Sequence, residues 1–236
     1  ALVALLWRIR CPVDPSAVIF CARSGSFMYR LHTPGSDEDY LVIFAERPES
    51  LLALKRPPPR VSEHVEMGFA SDKPGMTEFS AIELGTFLAD VAKGNPRNIE
   101  PLCLPAADET DDPESPVVPV SAWGAAVWRL VRSLLLPRAL THRCVDQYIG
   151  YVIDALRRVP RHEEARAKAK LLYHGFHKLR GLTCLLGGTL PEVRLPPDSP
   201  LRARILSLRC GDCAGDSSAL EAAAEEVAAG LAEARA

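Results

Sequence analysis

Residues 18–44, VIFCARSGSFMYRLHTPGSDEDYLVIF, place two predicted strands around a Gly-Ser turn and a pair of carboxylates. Val18-Ile19-Phe20 is a β-branched and aromatic run that ends at small residues, which predicts a buried strand. Gly25-Ser26 follows; Gly lets the backbone approach a ligand closely, and Ser26 is placed to cap a helix beginning there. Backbone N–H groups at such a helix start favour phosphate. Nine residues further on stands Ser36-Asp37-Glu38-Asp39, and Tyr40 to Phe44 reads as the second strand. Side chains alternate along a strand, so Asp37 and Asp39 are expected on one side. Two carboxylates beside a phosphate-binding turn would hold Mg²⁺, or Mn²⁺, against a nucleoside triphosphate.

On the C-terminal side, Leu51 to Pro59 is a break, because Pro57-Pro58-Pro59 suits neither a helix nor an inner strand. Arg60 to Phe69 alternates as a strand, Ser71 to Gly75 is a turn, and Glu78 to Ile82 is the next strand. Leu84, Phe87, Leu88 and Val91 recur at helical spacing, and Gly94 with Pro96 ends that helix. Glu83 stands at its start, where a carboxylate is favoured by free N–H groups and the helix dipole; Glu78 has no such structural explanation. On the N-terminal side, Ala1 to Ile9 reads as the end of an amphipathic helix packed on the sheet, and Pro12 and Pro15 end it.

The second half reads as helices. Ser121 caps one that runs through Val127, Leu130 and Leu134 to Pro137. Thr141 caps another, with Val145, Tyr148, Val152 and Leu156 inward. A third runs from about Glu163 to Leu186 and stops at Gly187-Gly188, Leu190 to Leu195 is a short extended piece, and the last helix starts at Ser218 with Glu221 completing a capping box. The expected fold class is α+β, a small mixed-sheet head over residues 1–104, an acidic, proline-rich linker or loop over 105–119, and an all-helical domain over 120–236.

Net charge of −2 hides an uneven distribution: residues 129–180 hold twelve Lys/Arg against four Asp/Glu, and residues 105–116 hold five acids and no base. The basic stretch is either a surface for phosphate or nucleic acid or a solvated helical face. Seven cysteines at irregular spacing form no disulfide framework, which points to a reducing, intracellular setting, the cytoplasm being the expected one. Cys210 and Cys213 make a C-x-x-C with no second pair, so zinc is not expected and two ordinary loop cysteines are. Arg8 and Arg10 interrupt the first apolar run far short of a membrane span, so no membrane association is expected. The chain begins with Ala1 rather than Met, which leaves room for an upstream targeting segment. Trp123 and Trp128 read as core residues.

The pattern of Gly25-Ser26, nine residues, and Ser36-Asp37-x-Asp39 resembles the DNA polymerase β-like nucleotidyltransferase superfamily. A second block, Glu78 with Glu83-Leu84, Phe87-Leu88, Lys93-Gly94-Asn95-Pro96 and Ile99-Glu100, is similar to the branch called the RNA repair pathway DNA polymerase β family. A third similarity covers Lys170 to Gly188 and Ile205 to Gly211. The resemblance implies a metal-dependent nucleotidyltransferase that uses ATP or another nucleoside triphosphate, with RNA ends as acceptor. It implies Asp37, Asp39 and Glu78 as catalytic metal ligands. It implies Gly25, Ser26, Arg30, Ser36, Lys170, His174 and Lys178 at the nucleotide or acceptor. The chain departs from the family pattern at Phe27 (usually Arg), at Arg30 (usually Gly) and at Glu78 (usually Asp). Arg30 either contacts phosphate or crowds the turn, and His174 is either phosphate-facing or a buried, hydrogen-bonded imidazole. The alternative function is a catalytically inactive nucleotide- or RNA-binding protein of the same fold. Oligomeric state is not legible in the sequence.

Overall fold

The computed structural model describes residues 2–34, 36–46, 60–65, 77–210 and 215–236, together with Glu49 and Leu52. The predicted break at 51–59, the far end of the strand expected to reach Phe69, the turn at 71–75 and Cys213 lie wholly or mainly outside them. The chain is α+β and divides into two compact units, Ala1–Ala92 with Leu104–Pro137, and Lys93–Cys103 with Arg138–Ala236.

The first unit is built on a four-stranded mixed sheet of order β1-β2-β4-β3. The strands are β1 (Val18–Arg23), β2 (Glu38–Phe44), β3 (Arg60–Val65) and β4 (Thr77–Glu83). β1 is antiparallel to β2, β2 is parallel to β4, and β3 is antiparallel to β4. Strands β1, β2 and β4 are each longer than their β-branched cores predict, because ladder pairing carries the polar flanks Arg23, Glu38 and Thr77 along. Helix α1 (Leu2–Arg8) covers one face, where Leu2, Leu6 and Ile9 meet Tyr40, Val42, Phe44, Phe79 and Ala81. The other side is closed by α3 (Leu84–Ala92) and α5 (Ala122–Ala139). There Trp128 stacks on Phe20 with centroids 4.2 Å apart and tilts on Phe87 at 5.8 Å. Such aromatic pairs add about 0.5–1.5 kcal/mol each beyond the area they bury. α5 can cross the start of β1 only because Gly124 has no side chain: a Cβ there would stand 2.4 Å from the Val18 carbonyl oxygen. Trp128 is 1% exposed as expected, but Trp123 is 51% exposed and belongs to no core.

The acidic stretch is folded onto the first unit. Arg23 N donates to the Pro116 carbonyl and Val118 N to that of Cys21, so the strap extends the β1 edge. Arg129 pairs with Asp108 and Arg132 with Glu109.

The second unit begins with α4 (Pro96–Leu102), capped by the Asn95 side chain, which accepts from Arg97 N. Its other helices are α6 (His142–Arg158), α7 (Ala165–Leu186), α8 (Pro200–Cys210) and α9 (Ser217–Ala234). Thr141 caps α6 and Gly187 ends α7, as the sequence predicts. Two local expectations change: α8 is an additional helix, and Asp216 rather than Ser218 caps α9, by accepting from Ser218 N. Cys210 therefore ends a helix instead of lying in a loop. Among the described residues every cysteine is a free thiol, and no helix is long and apolar enough to cross a membrane.

Candidate functional site

The carboxylates gather at one end of the sheet. β1 is antiparallel to β2 and β4, so its C-terminal end meets their N-terminal ends, where Arg23 pairs with Tyr40 and Asp39 with Glu78. Register partners on neighbouring parallel strands project to the same face. Glu38 lies on the opposite face, where it accepts from Arg8 and from the Tyr40 hydroxyl. Alternation therefore leaves Asp39 and Glu78 together on the side away from α1. Asp37 sits just ahead of β2 and is half-buried. Glu83, at the other end of β4, accepts a hydrogen bond from Thr86 N at 3.1 Å and so holds the start of α3.

The Gly-Ser turn is tied to this strand end. Ser24 N donates to the Asp39 carbonyl at 2.7 Å. Gly25 has φ +57°, and a Cβ built there would lie 3.8 Å from Asp39 Oδ2. The single-turn helix α2 (Gly25–Met28) has Ser24 at its cap position, without a side-chain cap bond, and Ser26 inside it and buried. Ser26 is thus not the cap that the sequence predicts, because the left-handed Gly25 starts the turn one residue earlier. Ser36 closes the following loop: its Oγ accepts from Thr33 N at 2.8 Å.

Arg30 also has a positive φ, +61°. Its guanidinium lies 2.5 Å from Asp112 Oδ2 and 3.0 Å from Glu114 Oε2, so the acidic strap holds it.

Lys170, His174 and Lys178 fall on α7 in the second unit. Lys170 is exposed and His174 half-buried. Burial, then the charges of Lys178, of His177 when protonated, and of Lys170 and Arg209, push the His174 pKa well below the usual histidine range. Lys178 is 3% exposed. Its Nζ lies 2.5 Å from both oxygens of the fully buried Glu100, which also accepts from the Tyr148 hydroxyl at 3.1 Å. His177 is buried beside them. Its Nε2 lies 2.9 Å from the Val193 carbonyl, and since a carbonyl only accepts, that nitrogen carries the proton. Lys178 thus serves the interior of the second unit. Glu100 and Tyr148, missed in that role, are 78 and 30 residues from it, and nothing local in sequence links them.

A divalent cation fits the sheet end in a limited sense. Among the described residues no three His, Cys, Asp or Glu side chains converge as a closed metal cage would require. Mg²⁺, however, is usually held by one or two carboxylates with waters and substrate phosphates. Asp39 with Asp37 or Glu78 meets that lesser demand. Thiol chemistry is disfavoured: burial pushes Cys21 and Cys144 up to about 12, leaving no reactive thiolate there at neutral pH.

No protein-family profile matches the sequence, and neither does any curated protein. Among solved structures, the chain is similar to a nucleotidyltransferase-like protein from Exiguobacterium sibiricum, with a TM-score of 0.32 and 12% identity over 99% of this chain and 77% of that one. A likeness this remote leaves the functional reading to the site's own geometry.

Proposed function

We propose that the chain is a nucleotidyltransferase, moving a nucleoside monophosphate from a nucleoside triphosphate to a hydroxyl acceptor and releasing pyrophosphate. The observation that carries this is the in-register pairing of Asp39 with Glu78, on one face, beside the left-handed Gly25. Asp37 and Asp39 would hold Mg²⁺ or Mn²⁺, with Glu78 sharing a second ion. Bound there, the cation supplies neutralisation of the triphosphate and polarisation at the α-phosphorus.

The chain's own residues do the rest. Gly25 leaves the approach to Asp39 free of a side chain, so phosphate oxygens come close to the backbone of the turn. Glu78, on the neighbouring strand, would take the proton of the acceptor hydroxyl as its oxygen attacks in line. The acceptor is an RNA end on the strength of the sequence resemblance; a protein or small-molecule hydroxyl is the variant of the same chemistry. Lys170 and His174 are the α7 residues proposed for nucleotide or acceptor contact. Lys178 is not, because Glu100 holds it in the interior.

A second reading, a nucleotide- or RNA-binding protein without catalysis, is favoured by one observation: no three-carboxylate cluster stands preformed among the described residues. One experiment separates the two. The protein is incubated with each labelled ribonucleoside triphosphate, Mg²⁺ or Mn²⁺ and a pool of RNA. Pyrophosphate release with label on the acceptor supports transfer. Retention of nucleotide without release supports the binding protein, and the absence of both release and retention removes both readings.

A further inference from the structure

We infer that Asp112 and Glu114 are positioning residues for the Gly25-Ser26 turn, acting through Arg30. Both the turn and the strap belong to the first unit. The inference rests on the nucleotidyl-transfer reading only for what the turn binds.

Arg30 ends the turn that Gly25 begins. Tyr29 N donates to the Gly25 carbonyl at 3.3 Å, Arg30 N to that of Phe27 at 3.3 Å, and Leu31 N to that of Ser26 at 2.8 Å. The last bond requires the chain to reverse at Arg30, which it does with φ +61°. That region crowds a Cβ and is uncommon for any residue but Gly, Asn or Asp. A long side chain persists there only when its surroundings hold it.

The acidic strap is what holds it. Arg30 is 14% exposed in its side chain, with Asp112 Oδ2 2.5 Å from its terminal nitrogen and Glu114 Oε2 3.0 Å from its Nε. The Asp112 contact is a charge-assisted hydrogen bond, a stronger kind than a neutral one, and Glu114, whose side chain is more exposed, adds an ion pair at Nε. The strap is itself anchored without Arg30's help. Asp112 Oδ1 accepts from Glu114 N, Pro116 and Val118 are bonded to β1, and Arg129 and Arg132 hold Asp108 and Glu109. The turn is therefore fixed at two ends, by the Asp39 carbonyl through Ser24 N and by the strap through Arg30.

The test compares the wild type, the double variant Asp112→Asn/Glu114→Gln, and the same double variant with Arg30→Gly added. Amide hydrogen exchange is read at Tyr29, Arg30 and Leu31, and KM and kcat are read for Mg²⁺ with each ribonucleoside triphosphate. Loss of the acids should speed exchange about tenfold and raise KM about tenfold with kcat little changed, since the turn then spends less time in its binding geometry. Adding Arg30→Gly should restore both, because Gly adopts the left-handed conformation unaided. Simple electrostatics points the other way: removing two negative charges should lower KM for an anionic substrate. A fall in KM, unchanged exchange, or a failure of Arg30→Gly to restore exchange overturns the inference. If the wild type turns over no triphosphate, the nucleotidyl-transfer reading fails. The exchange arm still decides the coupling of strap to turn.

Discussion

Asp39 and Glu78 face each other across the parallel β2–β4 ladder, one residue on each strand of the same pair. Their separate substitutions should therefore have different effects. Asp39→Asn, like Asp37→Asn, removes a ligand of the triphosphate-bound ion and should lower both nucleotide binding and transfer, the latter by about 10³-fold or more. Glu78→Gln should lose most transfer while nucleotide binding survives. Circular dichroism should change little in any of them, because these side chains lie at the sheet end rather than in its core. Full transfer activity in both Asp39→Asn and Glu78→Gln would sink the assignment.

Glu83 gives the contrasting case on the same strand. Its carboxylate accepts from Thr86 N at the start of α3. Glu83→Gln should cost about 0.5–1 kcal/mol in unfolding free energy and leave transfer near the wild-type rate. Denaturant melts and a turnover assay on one preparation decide it. An essential Glu83 beside an inert Glu78 would place the chemistry at the other end of β4.

The buried Lys178–Glu100 pair predicts a folding phenotype where a ligand contact would give a binding one. Lys178→Met strands the Glu100 charge in the interior and should cost about 3–5 kcal/mol. Adding Glu100→Gln should recover most of that loss. If Lys178→Met melts like the wild type but binds nucleotide poorly, the lysine is a ligand after all.

Acid should destabilise the second unit through His177. Burial, with Lys178 beside it, lowers its folded pKa from 6.5 to about 4. Between those values the unfolded chain takes up a proton that the folded chain does not. Stability is therefore complete above pH 6.5 and falls as pH drops toward 4, by roughly 3 kcal/mol at most. His174, shifted the same way, adds to the slope. Chemical denaturation from pH 7.5 to 4.5 measures it, and His177→Asn should flatten part of it. A stability that rises on acidification across this window would contradict the neutral, Val193-bonded imidazole.

Much of this architecture was legible in local pattern, and the misses share a cause. Val18-Ile19-Phe20 and Tyr40 to Phe44 announce their strands, and Thr141, Gly94 and Gly187 announce helix ends by chemistry that acts within one turn. α8 was missed because its sequence carries Arg202, Arg204 and Arg209 around only two buried residues, Ile205 and Leu208, so no apolar face stands out. The Ser218 and Glu221 pattern imitates a capping box two residues beyond the true cap. Lys178 sits in a run of bases, where a solvated or ligand-facing lysine is the natural reading; its partner lies 78 residues away. Arg30 and Asp112 are 82 residues apart. The placement of β4 between β2 and β3, which brings Glu78 to Asp39, is likewise a long-range choice that alternation alone does not encode.

The chain passes from one unit to the other at Ala92, Cys103 and Pro137. Domains generally fold as units while the polypeptide leaves the ribosome. Here the first unit lacks Trp128, the lid on Phe20, until α5 has emerged. By then residues 93–103 are long since out, carrying a Glu100 whose lysine has not yet been synthesised. That carboxylate stays hydrated until α7 arrives, so the second unit closes its interior only after the sheet of the first has been made, and a nascent chain halted at residue 170 would hold a sheet but no closed helical core.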